Sequence, residues 1–343
     1  MAQDCLLIRP ISLLERPTRS FRFLQAMAGE AGKARTVLLA TEKAFAAEAV
    51  TKIETVLKEA KYTLVKLENY KSKQDLLTAV KSVDAMIIRS DKVDAEVLEQ
   101  AEKLKIVVRA GAGYDNIDLK ATAAKEVVAM NTPGQNANAV AELVFGMMLV
   151  NARNNFDGTS GFELCGRSIA FYGFGAVAKA VHKLAVGFGM KSYAYDPYIP
   201  KDKIAEFGAT PVESVEGLFA QQYVSLHVPL TPETKESINK NLLMKLPKGG
   251  ALINTSREEV VHETELLEVF KEKPDFSYLS DVAPKNQEKV KELLGDKFGK
   301  RCVFTKKKMG AQTLEANNNA GVAAANQIVG FFEKGDVKFQ VKA

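Results

Sequence analysis

With 343 residues, 46% hydrophobic and 26% charged, the chain has ordinary globular composition and enough length for two domains. The net charge of +5 is modest, and the lysines are spread along helix-like segments, which argues against a nucleic-acid partner. Cys5, Cys165 and Cys302 lie far apart without a CxxC pair, so a reducing, cytoplasmic setting is expected and no disulfide framework. The longest apolar window, Leu143 to Val150, is too short to span a bilayer.

The first 34 residues stand apart. They carry Arg9, Arg16, Arg19 and Arg22, but Asp4, Glu15 and Glu30 weaken a transit-peptide reading. A marginal N-terminal extension over 1–34 is expected rather than organelle targeting. From residue 35 strands and helices alternate. Val37–Ala40, Thr63–Leu67, Ala85–Ile88 and Ile106–Val108 read as strands. Ala46–Glu59, Gln74–Val83 and Ala95–Ala101 read as the helices between them. A helical run from Ala137 to about Asn154 follows. A second βα series begins at Ser168 and continues to about Phe304, with apolar strands at Tyr223–Leu226 and Ala251–Ile253. Another helical run extends from Thr313 to about Phe332. Two α/β units of the Rossmann-like, doubly wound, parallel-sheet class are expected, with a ligand cleft between them. The C-terminal helix would complete the first unit. The expected division is 35–136 with 311–343 for substrate and 137–310 for a dinucleotide.

The second series opens on a fingerprint. Ser168-Ile169-Ala170-Phe171-Tyr172 is an apolar strand that runs into Gly173-Phe174-Gly175-Ala176-Val177-Ala178 and then into a helical pattern. Gly173 allows the tight turn, and Gly175 lets the backbone approach a pyrophosphate at the helix N-terminus. Ala178 permits close helix–strand packing. The next strand, Lys191–Tyr195, ends at Asp196, about 20 residues on, where a carboxylate accepts hydrogen bonds from a ribose 2′-hydroxyl and repels a 2′-phosphate. NAD is therefore the expected cofactor. Without these flanking strands, the same glycines would read as an ordinary βα turn.

Arginines end several strands. Arg257 follows Leu252-Ile253-Asn254-Thr255-Ser256, Arg109 precedes Ala110-Gly111, and Arg89-Ser90 follows Ile88. Ligands bind at the carboxyl ends of parallel strands, and an Arg there can clamp a carboxylate bidentately. Together they suggest a small anionic substrate, though each singly reads equally as a solvated surface charge. Of the three histidines, His182 falls mid-helix, His262 on the surface, and His227 at a strand end where it can face a cofactor. None is an evident general acid. No metal-ligand spacing and no GxSxG elbow is present.

Taken together these segments resemble the D-isomer-specific 2-hydroxyacid dehydrogenases, most closely the phosphoglycerate-oxidising branch. The resemblance rests on Ile87–Ser90, Arg109–Asp118, Asn131-Thr132-Pro133-Gly134, Gly173–Gly175, Tyr195-Asp196-Pro197, Ser225–Pro229, Ile253–Arg257, Asp281-Val282 and Gly310–Thr313, and it extends from about residue 36 to the C-terminus. It implies that Arg257 binds the carboxylate and carbonyl of a 2-oxo acid. It implies that Arg89, Ser90, Arg109 and Gly111 hold the substrate's anionic groups. It adds His227, Val228, Pro229, Thr255, Ser256, Arg257, Asp281 and Gly310 to the cofactor contacts from Gly173 to Val177 and Asp196. It also implies a homodimer formed by the nucleotide-binding units and, from the short chain after Gly310, no C-terminal regulatory domain.

Two departures bear on the chemistry. The family's catalytic His falls in the run Lys306-Lys307-Lys308, at Lys308 when aligned on Gly310-Ala311 and at Lys307 when aligned from Thr305. Its Glu partner falls at about Asn286. A Lys starts near pKa 10.4, and neighbouring cations without that carboxylate lower it toward a working range. The paired loss is coherent with a lysine acid/base, as in some members of the family. Glu258 stands where the family has Gly after the Arg. The expected activity is NAD-dependent oxidation of 3-phosphoglycerate to 3-phosphohydroxypyruvate, the entry to serine synthesis. The alternatives are a reductase of another 2-oxo acid (glyoxylate, hydroxypyruvate or lactate type) and a catalytically silent NAD-binding regulator.

Overall fold

The computed structural model describes residues 32–343. The extension expected over 1–34 lies outside the described residues except at its last positions, where the Gly32 N–H meets the Glu333 carboxylate at 3.0 Å.

The described residues form two parallel sheets. The first has strands β1 (Thr36–Thr41), β2 (Thr63–Glu68), β3 (Ala85–Ile88), β4 (Ile106–Arg109) and β5 (Val128–Asn131), in the order β2-β1-β3-β4-β5. The second has β6 (Ser168–Tyr172), β7 (Lys191–Tyr195), β8 (Thr210–Pro211), β9 (Tyr223–Leu226), β10 (Ala251–Asn254), β11 (Ser277–Ser280) and β12 (Cys302–Phe304), in the order β12-β11-β10-β9-β6-β7-β8. This is the doubly wound class expected from the alternating pattern. The central strands β3, β9 and β10 are buried along their whole length because both faces are covered. Along β1, Val37 and Leu39 pack with Ile53, Leu57, Ile328 and Phe331 on one face. Leu38 and Ala40 pack with Leu76, Leu77 and Val97 on the other. Each fully buried side chain of this size contributes roughly 1.5–3 kcal/mol.

The long helices differ in the sheet they cover. The 137–152 helix places Ala141, Val144, Phe145 and Met148 in the core of the seven-stranded sheet, beside Phe171, Val181 and Ala185. The 314–334 helix returns to the five-stranded sheet, where Ala324, Ile328, Phe331 and Phe332 are fully buried against the 47–59 helix. The chain therefore leaves the first sheet and comes back to it.

Several elements depart from the sequence reading. The 119–124 helix and β5 both lie in a stretch to which the sequence pattern assigns no element. The helix is short, and its cap is Asp118, whose carboxylate accepts the Ala121 N–H at 2.9 Å. β5 is a four-residue strand with every side chain buried. The helix expected over Gln74–Val83 ends at Ala79 and tightens into a 3₁₀ turn over Val80–Ser82.

Each sheet changes winding direction once at its centre, between β1 and β3 in the first and between β6 and β9 in the second. Crevices open at the carboxyl ends of strands at such points. The loops after β1, β3, β4, β9 and β10 meet there around a cavity of about 520 Å³.

Candidate active site

One end of this site is the turn after β6. Gly173 sits at φ 84°, and a Cβ there would lie 2.8 Å from the His227 carbonyl oxygen, so both conformation and space require glycine. Gly175 precedes the 176–187 helix with no side-chain cap, and a Cβ on it would meet only open space. The first-turn N–H groups of Ala176 and Val177 thus face a place where an anion can sit. The Phe174 side chain is fully buried in the core beside Phe171 and Phe207, and its backbone forms part of the turn. The Phe174 N–H donates to Asp196 Oδ2 at 2.8 Å, and Tyr198 N–H to Oδ1 at 2.8 Å. These bonds point the carboxylate, and each oxygen keeps a lone pair for a ribose hydroxyl. Gly173, Gly175, Ala176 and Asp196 lie outside the lining of the cavity, whereas Val177 is part of it.

The cavity wall continues through His227, Val228, Pro229, Thr255 and Ser256. His227 Nε2, Thr255 Oγ1 and Asn136 Oδ1 are buried there with no hydrogen-bond partner in the protein. Unpartnered buried polar atoms are costly, and three on one cavity fit a ligand with several polar groups. Burial alone pushes the His227 imidazole down to about 3, so it is neutral at physiological pH. His182 packs edge-on against Phe174 and is held neutral in the same sense by desolvation. His262 does not sit free on the surface: its Nδ1 accepts the Glu265 N–H at 3.4 Å and caps the 263–272 helix. Among the described residues no group of His, Cys, Asp and Glu is placed to hold a metal ion.

The opposite end of the cavity is cationic. It is lined by Lys43, Arg89, Arg109, Arg257 and Lys308. Arg109 Nε donates to the Arg89 carbonyl at 3.0 Å, and Arg89 lies over the Phe45 ring at 5.0 Å. Desolvation, then the Arg257 charge, lowers Arg109 to about 10; desolvation also lowers Arg89. Lowered arginines mark a place where an anion would be welcomed. Two glycines make room for these groups. A Cβ on Gly111, at φ 148°, would lie 1.6 Å from Arg109 Nη1, and one on Gly113 would lie 2.3 Å from Arg257 Nη2. Ser90 is exposed at the rim, and Gly111 lies behind the lining. Lys43, after β1 at the switch point, carries no motif and was not visible in the sequence as a site residue.

Arg257 leaves β10 with Nη1 donating to the Ser256 carbonyl at 3.0 Å and Nη2 to Asp115 Oδ1 at 2.6 Å. Lys308 Nζ donates to the same Ser256 carbonyl at 3.3 Å. Lys308 is exposed as a residue, yet its ammonium reaches inward among Arg257, Asp281, Asp115 and Arg109. Desolvation first, and the Arg257 charge second, bring it down to about 8. Lys307 is exposed and lines neither of the two cavities that Lys308 lines. The structure thus separates two lysines that the sequence left as alternatives.

Asp281 lines the cavity and also clamps a loop. It is buried, and its carboxylate accepts Thr305 Oγ1 at 3.0 Å, Met309 N–H at 2.8 Å and Gly310 N–H at 2.8 Å. It is the clamp that holds the loop carrying Lys308. Gly310 serves the same clamp, since a Cβ there would lie 2.9 Å from Asp281 Oδ2. The adjacent Val282 stands at φ 121°, rare for a β-branched residue, so surrounding contacts must impose this turn. Asn286 donates to the Glu263 carbonyl at 2.8 Å. Glu258 opens a 3₁₀ turn and pairs with Lys285 at 3.3 Å.

Comparison with known proteins gives a consistent placement. The family described as D-isomer specific 2-hydroxyacid dehydrogenase, catalytic domain, matches residues 39–342. A D-3-phosphoglycerate dehydrogenase of Methanocaldococcus jannaschii is 35% identical over 272 residues, 75% of this chain and 51% of that protein. A hydroxypyruvate reductase of Thermotoga maritima is 35% identical over 276 residues, 75% of this chain and 87% of that protein. The chain spans about half the length of the curated phosphoglycerate dehydrogenases it matches, 51% of the Methanocaldococcus jannaschii protein and 53% of the human one. Among solved structures, the cofactor (NAD+)-bound 3-phosphoglycerate dehydrogenase of Entamoeba histolytica superposes with a TM-score of 0.83 at 44% identity, over 91% of this chain and 99% of that one. With its two parallel sheets and the matched family over nearly the whole described chain, this protein belongs to the D-isomer-specific 2-hydroxyacid dehydrogenases.

Proposed function

We propose that the chain is an NAD-dependent dehydrogenase of a D-2-hydroxy acid carrying a second anionic group, with 3-phosphoglycerate as its substrate. The observation that carries this reading is the set of cations lining one cavity, Lys43, Arg89, Arg109, Arg257 and Lys308. A bare monocarboxylate needs only Arg257. The further arginines suit a phosphate, to which each charge-assisted bond contributes roughly 1.5–3 kcal/mol.

The cofactor reading draws on the open 176–187 helix start, the Asp196 carboxylate and the unpartnered atoms of His227, Thr255 and Asn136. A nicotinamide supplies the hydride acceptor when bound. In the oxidation, Lys308 in its free amine form takes the proton of the substrate's 2-hydroxyl, and the C2–H electron pair departs as hydride. Arg257 stabilises the charge that develops on the oxygen as the carbonyl forms. Lys308, lowered to about 8, is near the operating range for a group that must both take and give a proton. Positioning in the closed cleft supplies the rest. The substrate unit on this reading is 35–136 with 311–343, and the dinucleotide unit 137–310.

A homodimer is proposed through the nucleotide-binding units, on the exposed apolar side chains of adjoining helices. Phe188 stacks on Phe145 at 4.7 Å, with Leu149, Phe156 and Val186 exposed nearby in the chain.

NADH oxidation by the pure protein with phosphohydroxypyruvate, hydroxypyruvate, glyoxylate and pyruvate tests the reading. Highest kcat/KM on phosphohydroxypyruvate is expected. Equal or better turnover of hydroxypyruvate would assign it to the reductase type named among its relatives, and no turnover of any would leave a nucleotide-binding regulator.

A further inference from the structure

The ion pair between Arg257 and Asp115 crosses the cleft. Arg257 follows β10 of the seven-stranded sheet, and Asp115 lies in the loop after β4 of the five-stranded one, 142 positions earlier in the chain. The Nη2–Oδ1 distance is 2.6 Å, and Gly113 leaves the room in which the pair sits, since its Cβ would lie 2.3 Å from Arg257 Nη2 and 3.1 Å from Asp115 Oδ1. The Asp115 carboxylate lies at the rim among the cations on which the proposed mechanism relies. Desolvation disfavours its charge, but the hydrogen bond and charge of Arg257, and then Lys308, hold its pKa below the ordinary carboxylate value. Asp115 in turn raises Arg109 and Lys308. A carboxylate surrounded by Arg257, Lys308 and Arg109 has the surroundings expected for the carboxylate of a substrate.

We propose that Asp115 stands in for the substrate's carboxylate on Arg257 until substrate binds, and so sets the affinity for 2-oxo acids by competing with them. This rests on the reading of Arg257 as the carboxylate clamp. Arg257 does not depend on Asp115 for its place, because Nη1 is held by the Ser256 carbonyl at 3.0 Å. When Asp115 lets go, Nη2 turns to the incoming carboxylate. The residue is mostly exposed, at 61% of its side chain, so its neutralisation leaves the core untouched. Its neighbours on the competing side are Arg257, Lys308 and Arg109, with Asp281 committed to its own loop.

Oxalate, a two-carbon dianion resembling a 2-oxo acid, is the probe, titrated calorimetrically into NADH-loaded wild type, Asp115→Asn and Asp115→Ser. Both variants are expected to bind oxalate about three- to tenfold more tightly, since a partly exposed competing pair and its repulsion of the dianion are removed. The KM for the 2-oxo acid should fall in parallel. The alkaline fall of the reduction rate should also move to lower pH, because Lys308 loses a neighbouring carboxylate while Arg257 and Arg109 remain. A structural prop for Arg257 would behave in the opposite way. Weaker or unchanged oxalate binding in both variants, with wild type binding it normally, overturns the competition and leaves Arg257 as the clamp. Absence of oxalate binding in all three proteins overturns the clamp itself and the competition with it.

Discussion

At the scale of single residues, the two adjacent lysines carry the sharpest contrast. Alignment from either side of the run left Lys307 and Lys308 equivalent, because a one-residue register is invisible without coordinates. In the fold Lys308 reaches the Ser256 carbonyl beside Arg257, and Lys307 is exposed and lines neither of the two cavities that Lys308 lines. Lys308→Ala is therefore expected to lower kcat by about 10²–10⁴-fold, the usual worth of general acid–base catalysis, while Lys307→Ala stays within about twofold of wild type. Steady-state rates of both variants check this. The pH profile has a definite sign. Ketone reduction needs the ammonium, so its rate should hold through neutrality and fall as pH rises past about 8, while oxidation needs the amine and should rise through the same range. His227, lowered to about 3 by burial, contributes no limb near 6.5. Arg89 was legible as a strand-end cation. If it reads the phosphate, Arg89→Ala should raise KM for phosphohydroxypyruvate about tenfold or more and leave glyoxylate within about twofold. Equal losses on both acids would assign Arg89 to the fold instead.

At the scale of elements, the glycine turn after β6 was legible because three constraints coincide in it. A strand, a positive-φ turn and a helix start need residues that few other local structures need together. Gly173→Ala should lower stability by about 1–3 kcal/mol, from the φ of 84° and the 2.8 Å approach to the His227 carbonyl, and should weaken NADH binding. Denaturant midpoints and a fluorescence titration would show both effects. The loop from Thr305 to Gly310 was less legible. Its conformation is dictated by the Asp281 carboxylate, 24 positions before Thr305, which accepts bonds from Thr305, Met309 and Gly310. The family resemblance marks Asp281 as a cofactor contact, and the hydrogen bonds show that it also clamps this loop. The sequence pattern assigns neither the 119–124 helix nor β5.

At the scale of the whole molecule, a ligand that spans two units should stabilise them together. NADH at a hundredfold excess over its Kd should add about 2.7 kcal/mol and raise the unfolding temperature. NADPH at the same concentration should raise it less, because Asp196 repels a 2′-phosphate; equal shifts would remove Asp196 as the selector. Asp196→Ala should narrow the difference. The alternation of apolar runs by itself determined that there would be two parallel α/β units, because strands covered on both faces cannot alternate polar and apolar residues. The glycine fingerprint and the strand-end arginines were likewise local, each carried by a few consecutive residues. Only the tertiary structure decided which lysine enters the cleft, that Lys43 joins the arginines, and that Arg257 meets Asp115 across it. These contacts join residues tens to hundreds of positions apart, and their energies depend on distance and burial, which no local pattern of residues encodes.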